Sequence, residues 1–300
     1  MARYLITGIT GTLGQEVMKK LMIDQHEVVG YSRDEFKQSL LPKDPKLTLY
    51  LGDVRNRERM IEASRGVDLI FHFAALKRVD SMEENPEECI ETNVVGTQNV
   101  LSAQRLNRIR RVVLSSTDKA AHPETVYGAS KLMAERLVLR NPNNVVCRYG
   151  NVLASRGSVI VSFIDSIIKE KTIYITDPEM TRFFLTAQEA AHFVTRSAFA
   201  EKGGLKIPKL KACKIVDLAN AIADVMGVDK PKMKIIGVRG IEKTHEILTM
   251  PCDGGIQASN MAIQLTKPEI KRLVHPIVEE ITGLNFTKIG KRTVVREVTV

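Results

Sequence analysis

The chain has 300 residues, 44% of them hydrophobic and 26% charged. That is enough apolar material for a substantial core in one or two domains, and it excludes a disordered composition. The formal net charge of +9 raises a nucleic-acid partner for consideration. However, Lys and Arg are spread along the chain, there is no Trp, and no basic run is interleaved with aromatics. No nucleic acid is therefore expected, and the basic balance suits a small anionic ligand such as a nucleotide diphosphate. No apolar run reaches the ~18 residues a bilayer requires, so no membrane partner is expected. Met1 leads at once into a strand pattern with no signal peptide. Cys89, Cys147, Cys213 and Cys252 lie far apart, with no CxxC spacing. No metal site is expected, and the thiols fit a reduced, cytoplasmic protein.

In chain order, strands are expected at Tyr4–Ile6, Val28–Tyr31, Leu47–Leu51, Leu69–Phe73, Arg111–Ser115 and Val145–Arg148. Helices are expected at Leu13–Met22, Cys89–Leu106 and Val126–Leu139. Apolar strand runs separated by helical patterns predict βαβ units and a mostly parallel sheet buried on both faces. The expected fold is α/β: a Rossmann-like, doubly wound parallel sheet with a smaller mixed C-terminal domain. Residues 1–155 form the first domain, with about 183–215 returning to it, and 156–300 form mainly the second. Past Gly150 the pattern loosens, punctuated by Pro178, Pro208, Pro231, Pro251 and Pro268. Asn285–Val300 receives no element.

The first strand runs into Thr7-Gly8-Ile9-Thr10-Gly11-Thr12-Leu13-Gly14. This glycine spacing between a strand and a helix is a dinucleotide fingerprint. Gly8 makes the tight turn, Gly11 lets the backbone approach a pyrophosphate, and Gly14 lets the helix pack on the strand. The helix N-terminus faces the phosphates. Thr10, Thr12 and Leu13 complete the loop. After the second strand comes Tyr31-Ser32-Arg33-Asp34-Glu35-Phe36-Lys37. Ser32 and Arg33 stand where an acidic residue would select NAD, and a guanidinium fork suits a 2′-phosphate, so NADP is the expected cofactor, with Lys37 one turn on. Asp34 leaves a ribose contact open. Asp53 and Val54 follow the third strand, Asp53 toward the adenine. Ala74 and Ala75 are small where a cofactor passes, Lys77 follows them, and Asn93 sits on a helix entering the core.

The fifth strand ends in Ser115-Ser116-Thr117-Asp118-Lys119, and Tyr127 and Lys131 follow with Y-x-x-x-K spacing. Positions i and i+4 share a helix face, so Tyr127 and Lys131 project together. The ammonium is expected to favour the phenolate, which can take a proton from a sugar hydroxyl while hydride leaves the same carbon.

The glycine motif and the Tyr127/Lys131 pair resemble the extended short-chain dehydrogenase/reductase family. Ala74-Ala75-Leu76-Lys77, Ser116-Thr117-Asp118-Lys119-Ala120, Arg148-Tyr149-Gly150-Asn151-Val152 and Met180-Thr181-Arg182-Phe183 narrow the resemblance to its inverting UDP-N-acetylglucosamine 4,6-dehydratases of polysaccharide biosynthesis, over about residues 3 to 250. The resemblance implies a tightly bound NADP, recycled in each turnover, and a UDP-sugar substrate in a surface-glycan pathway. It implies Tyr127 as the carbon 4 base, Asp118 as the acid for the departing hydroxyl, Lys119 as the carbon 5 base, and Thr117 as a sugar contact. It also implies Asn151, Arg156, Ser158, Arg182, Arg239 and Glu242 at the sugar nucleotide, with Lys77 near it, and a homo-oligomer. Relatives that retain carbon 5 stereochemistry carry Asp-Glu where this chain has Asp118-Lys119. Arg239-Gly240-Ile241-Glu242-Lys243 departs from the family's usual Arg-Pro-Gly-Glu-Lys, which changes how stiffly Arg239 is held. The alternatives are a UDP-sugar 4-epimerase or dehydratase/epimerase, and a non-catalytic NADP-binding regulator. An epimerase has no use for the Asp118-Lys119 pair.

Overall fold

A computed structural model of the chain describes residues 2–297, except 154, 156, 229–230, 239–241 and 290–291, with side chains described as far as residue 284. Two compact units result: Met1–Tyr149 with Ala187–Pro208 and Ile247–Ile256, and Gly150–Thr186 with Lys209–Glu246 and Gln257–Val300.

The first unit carries β1 (Arg3–Thr7), α1 (Thr12–Ile23), β2 (Glu27–Ser32), α2 (Glu35–Ser39), β3 (Leu47–Leu51), α3 (Arg57–Ala63), β4 (Leu69–His72), α4 (Val79–Glu84), α5 (Pro86–Cys89), α6 (Gly96–Leu106), β5 (Arg111–Thr117), α7 (Val126–Val138) and β6 (Val145–Tyr149). The chain leaves for the second unit through β7 (Asn151–Val152), α8 (Val159–Glu170), β8 (Thr172–Ile175) and β9 (Thr181–Leu185). It returns as α9 (Ala187–Ala198) and β10 (Gly204–Lys206). Strands β11 (Ala212–Lys214) and β12 (Lys232–Ile235), with α10 (Ile215–Val225) between them, belong to the second unit. Strand β13 (Ile247–Thr249) belongs to the first. Strand β14 (Gln257–Ala258), α11 (Lys267–Thr282), β15 (Leu284–Ile289) and β16 (Arg292–Glu297) complete the second.

Seven strands of the first unit form one sheet in the order β10-β6-β5-β4-β1-β2-β3, every pairing parallel. The order reverses between β1 and β4, so this is the doubly wound Rossmann arrangement, whose ligands bind beyond the carboxyl ends of the strands at that switch point. Central strands are apolar because helices cover both faces: Leu5, Val29, Ile70, Val112 and Val146 have no exposed surface or nearly none. They share a core with Met60, Val100, Ala134 and Val138 from the helices. The edge strand β3 is partly exposed along its length.

The sequence predicts one helix over Cys89–Leu106. Instead α5 ends at Cys89, a π-helical turn spans Ile90–Val95, and α6 begins at Gly96. Single π turns within helices occur often at functional sites, and this one carries Asn93.

In the second unit β9 pairs with β7 in parallel and with β11 antiparallel, and β8 pairs with β12. Apolar faces of α8 (Ile160, Phe163, Ile164, Ile167), α10 (Leu218, Ala219, Ile222) and α11 (Val274, Val278) close a separate core. Strands β15 and β16, in the part of the chain that received no sequence assignment, pair antiparallel.

Candidate active site

The glycine turn after β1 is built for close backbone approach. Gly8 has φ +70°, a left-handed value that favours glycine, and a Cβ there would fall 2.8 Å from Ala74 N. A Cβ at Gly14 would fall 2.5 Å from Gly8 O, so the start of α1 rests directly on the turn. Gly8 N donates to Tyr31 O at 2.8 Å and Gly11 N to Gly8 O at 2.9 Å. Gly11 is the N-cap of α1 and no side chain caps it. The first-turn N–H groups, which have no partner inside a helix, are left to a ligand, as dinucleotide phosphates use them. Thr10 is buried, while Thr12 and Leu13 open the helix.

At the end of β2, Ser32 is buried and accepts from Gln38 Nε2 at 2.9 Å. Asp34 caps α2, accepting from Lys37 N at 2.9 Å, and also pairs with the Lys37 ammonium. Arg33 is half-exposed and reaches Asp53 at 3.4 Å. Asp53 is held more closely by Arg55, at 2.8 Å from Nη2 and 3.0 Å from Nε. Burial alone would raise the Asp53 carboxyl, but the Arg55 bonds and the Arg55 and Arg33 charges hold it below the usual range. Val54 is buried, and its carbonyl accepts from Asn99 Nδ2 at 2.9 Å.

After β4, Ala74 N and Phe73 N donate to Thr7 Oγ1 at 3.2 and 3.1 Å. Asn93 clamps the same loop one residue beyond Ala75: its Oδ1 accepts from Leu76 N at 2.8 Å and its Nδ2 donates to Leu76 O at 3.0 Å. Lys77 is exposed. His72 lies beneath, between Thr7 Oγ1 (2.8 Å from Nδ1) and Thr97 Oγ1 (3.0 Å from Nε2). Burial first, then the Lys131 charge, pushes its imidazole down to about 3.

Beyond β5, Thr117 caps a short 3₁₀ turn over Asp118–Ala120. Asp118 is fully buried. Its Oδ1 accepts from Thr117 Oγ1 at 2.8 Å and from Lys119 N at 2.9 Å, and Lys119 Nζ lies 3.2 Å away. Helix α7 begins under two acceptors: Thr125 Oγ1 takes Gly128 N at 3.0 Å, and Glu83 Oε1 takes Val126 N at 2.7 Å. Tyr127 and Lys131 share a face of this helix, one turn apart. Desolvation pushes the Tyr127 phenol up to about 12; the Lys119 charge opposes this, Asp118 adds to it, and a hydrogen bond with Thr117 lowers it. Among the charges acting on the Tyr127 phenol, that of Lys119 leads those that lower it. Lys131 is buried, and desolvation lowers its ammonium to about 8 against the pull of Glu135 and Cys89.

In the second unit, Asn151 lies in β7 opposite Phe184 of β9. Ser158 is the N-cap of α8. Arg182 in β9 donates from Nη1 to Thr181 O at 2.9 Å and Thr244 O at 3.0 Å, and its Nε lies 3.8 Å from Glu246. Glu242 is exposed. Arg156 and Arg239 lie outside the described residues. Sequence reasoning missed Ser130, whose Oγ accepts from Asn93 at 2.9 Å and donates to Tyr127 O at 2.8 Å. It also missed Glu83 and Glu135. A Glu one turn beyond the Lys of Y-x-x-x-K was the available signal for Glu135. No group of His, Cys, Asp and Glu among the described residues is placed to hold a metal, and none of their helices is long and apolar enough to cross a membrane.

The family model described as polysaccharide biosynthesis protein matches residues 4–268. The chain belongs to that family, a branch of the extended short-chain dehydrogenase/reductases. Among curated relatives, the UDP-N-acetylglucosamine 4,6-dehydratase (inverting) of Campylobacter jejuni subsp. jejuni serotype O:2 is 39% identical, over 96% of this chain and 88% of that protein. The UDP-glucose 4-epimerase of Rickettsia canadensis is 42% identical, over 81% of this chain and 76% of that protein. The crystal structure of Pen from Bacillus thuringiensis superposes with a TM-score of 0.86 at 30% identity, covering 92% of this chain and 97% of that one. DesIV, a dTDP-glucose 4,6-dehydratase from Streptomyces venezuelae solved with NAD, shares the fold with a TM-score of 0.75 at 20% identity, over 93% and 97% of the two chains.

Proposed function

We propose that this enzyme of the sugar-nucleotide dehydratase/epimerase kind is an NADP-dependent UDP-N-acetylglucosamine 4,6-dehydratase that inverts carbon 5 and supplies a 4-keto-6-deoxy sugar nucleotide for surface-glycan synthesis. The observation that carries the reading is the Asp118–Lys119 pair, held at 3.2 Å at the end of β5 with its charges acting on the Tyr127 phenol. A dehydration across carbons 5 and 6 needs both an acid and a second base there; a simple 4-epimerisation needs neither.

The glycine turn, whose cradle a Cβ at Gly8 or Gly14 would fill, and the uncapped start of α1 fit a dinucleotide pyrophosphate. Gly8, Thr10, Gly11, Thr12 and Leu13 would hold the phosphates, and Ser32, Arg33 and Lys37 the 2′-phosphate. Asp53, Val54, Ala74, Ala75, Lys77 and Asn93 would line the rest. NADP, when bound, supplies the hydride acceptor at carbon 4 and the donor at carbon 6, with no net redox.

The protein's own groups then move the protons. Tyr127 takes the proton of the carbon 4 hydroxyl, and Lys131 steadies the phenolate. The resulting ketone acidifies carbon 5, and Lys119 as free amine removes that proton. Asp118 in its protonated form gives a proton to the departing carbon 6 hydroxyl, and water leaves; a proton delivered to carbon 5 on the opposite face then completes the 4-keto-6-deoxy sugar. Thr117 orients the sugar. Asn151, Ser158, Arg182 and Glu242, with Arg156 and Arg239, are the candidates for the nucleotide and sugar. A homo-oligomer in the cytoplasm completes the reading.

A second reading, UDP-sugar 4-epimerase, is favoured by the 42% identity to the Rickettsia canadensis protein. Incubation with UDP-N-acetylglucosamine in D₂O separates the two. Product lighter by one water, with deuterium at carbon 5 and couplings of the inverted sugar, is expected. An unchanged mass with a new stereoisomer at carbon 4 overturns the dehydratase in favour of the epimerase.

A further inference from the structure

Glu135 lies one helical turn beyond Lys131 on α7, and both are buried. Both of its oxygens are engaged. Ser116 Oγ donates to Oε1 at 2.5 Å, Arg148 Nε to Oε1 at 3.0 Å, and Arg148 Nη2 to Oε2 at 2.6 Å. Arg148 is itself 3% exposed, and the remaining guanidinium nitrogen, Nη1, donates to Leu248 O at 3.0 Å and Asp253 Oδ2 at 2.9 Å. Asp253 also accepts from Met250 N at 3.1 Å. Helix α7, the end of β5, β6 and the returning 247–253 segment thus converge on one buried arginine. Strand β13 of that segment also lies against the Asp118–Ala120 turn.

A buried ion pair is an expensive way to fill a core, because desolvating both charges offsets most of their attraction. An apolar pair of similar volume would hold this sheet and helix together at least as well. The feature that distinguishes the arrangement is its neighbour. The geometry points to Glu135 and Arg148 as a positioning pair for the Lys131 ammonium, with Asp253 anchoring the far side of the guanidinium. The inference rests on reading Tyr127 and Lys131 as the proton-handling pair.

The charges around Lys131 are few. Glu135 shares its helix, Cys89 comes from the end of α5, and His72 from the end of β4. At the start of the helix, Asp118 and Lys119 of the turn and Tyr149 of β6 face Tyr127, and Glu83 of α4 caps Val126. Arg136 of α7 faces Asp253. Burial drives Lys131 toward the neutral amine, and the strongest opposing influence is the Glu135 carboxylate. Arg148 is bonded to both oxygens of that carboxylate and dilutes its field. With Glu135 alone, Lys131 would be held charged; with Arg148 alone, it would lose its proton more readily. The bidentate fork fixes where between these limits the ammonium stands.

The test is a titration of the full chain carrying ¹³C-lysine, following the Cε signal of Lys131, assigned by its loss in Lys131→Met. Glu135→Gln is expected to lower the Lys131 pKa and Arg148→Met to raise it, each by roughly half a unit or more. The basic limb of the kcat/KM profile, where the Lys131 ammonium is lost, is expected to move the same way in each variant, with KM nearly constant. Movement of both variants in the same direction, or of neither, overturns the inference, because a purely structural pair would lower stability without opposed shifts. If Arg148→Met does not fold, Arg148→Lys keeps the charge but loses the fork. It is then expected to raise the pKa by a smaller amount, and an unmoved or lowered pKa overturns the proposal. The titration needs no substrate: opposed shifts in a protein that dehydrates nothing would uphold the positioning pair while removing the dehydratase reading.

Discussion

Asn93 donates to the Ser130 hydroxyl at 2.9 Å while its amide closes both hydrogen bonds to the backbone of Leu76. One side chain on a π-helical turn therefore ties the loop after β4 to the helix bearing Tyr127 and Lys131. Ser130 passes the tie on by donating to Tyr127 O at 2.8 Å. Asn93→Ala leaves the Leu76 N–H and C=O without their partner. An expected cost of about 1–3 kcal/mol follows for leaving such groups unpaired. Denaturant unfolding should show that loss, and NADP titration should show weaker binding, since the loop opposite Gly8 is released. A variant that matched the parent in both would remove Asn93 from the site.

Gly128 governs how closely the catalytic turn approaches α7. A Cβ there would sit 2.6 Å from the Lys119 carbonyl oxygen, which is backbone and cannot rotate away. Gly128→Ala should therefore displace the Asp118–Lys119 turn from Tyr127. Misplacement of reacting groups by an ångström costs on the order of a hundredfold in rate, so kcat is expected to fall about 10- to 100-fold with NADP affinity unchanged. Unaltered kcat would show that the turn tolerates the shift and that Lys119 is not placed by this contact.

Lys119→Ala separates chemistry from binding more directly. The amine that would take the carbon 5 proton is removed, while the glycine turn and Arg33 are untouched. Dehydration should be lost with NADP still bound. Full activity would assign the carbon 5 base to another group, and loss of cofactor binding would make Lys119 structural.

The Rossmann sheet was legible in the sequence because its signals are local. Runs such as Val145–Arg148 and the glycine spacing after Tyr4–Ile6 are set by burial and turn geometry within a few residues. The π turn at Ile90–Val95 was not, because helical periodicity over Cys89–Leu106 hides a one-residue change of register, and its partner Leu76 lies 17 residues from Asn93. The role of Asp253 was equally hidden: its contact with Arg148 spans 105 residues. The Lys119 charge on Tyr127 was hidden too, because it depends on how the 3₁₀ turn folds over α7. The i, i+4 rule points to Lys131 and is silent on Lys119.

Cofactor choice should follow Arg33. Asp34 is committed to capping α2 and to Lys37, and Asp53 is held mainly by Arg55, which leaves the half-exposed Arg33 guanidinium as the group best placed to meet a 2′-phosphate. A charge-assisted contact of this kind is worth about tenfold in affinity. Arg33→Ala is expected to weaken NADP by roughly that factor, with NAD affinity nearly unchanged, in parallel fluorescence titrations. Equal losses for both cofactors would place Arg33 on a feature they share.

His72 makes the stability of the first unit sensitive to acid. Its imidazole is buried with both nitrogens engaged, and its pKa falls from 6.5 in the free side chain to about 3 when folded. Thr7 Oγ1 accepts two backbone N–H groups and so has its proton left for Nδ1, and Thr97 Oγ1 gives its proton to Asn93 O at 2.6 Å. His72 is thereby fixed as the neutral Nε2–H tautomer, with no room for a second proton. A depressed folded pKa contributes stability that is complete above 6.5 and is lost as pH falls toward 3, because only the unfolded chain takes up the proton in that window. The slope approaches about 1.4 kcal/mol per pH unit for one proton. Between pH 6.5 and 5, before carboxylates enter, the parent should lose denaturant stability with a slope that steepens toward this value. His72→Gln, less stable at neutral pH, should show a slope smaller by about one proton. Parallel pH profiles for the two proteins would mean that His72 takes up its proton without unfolding.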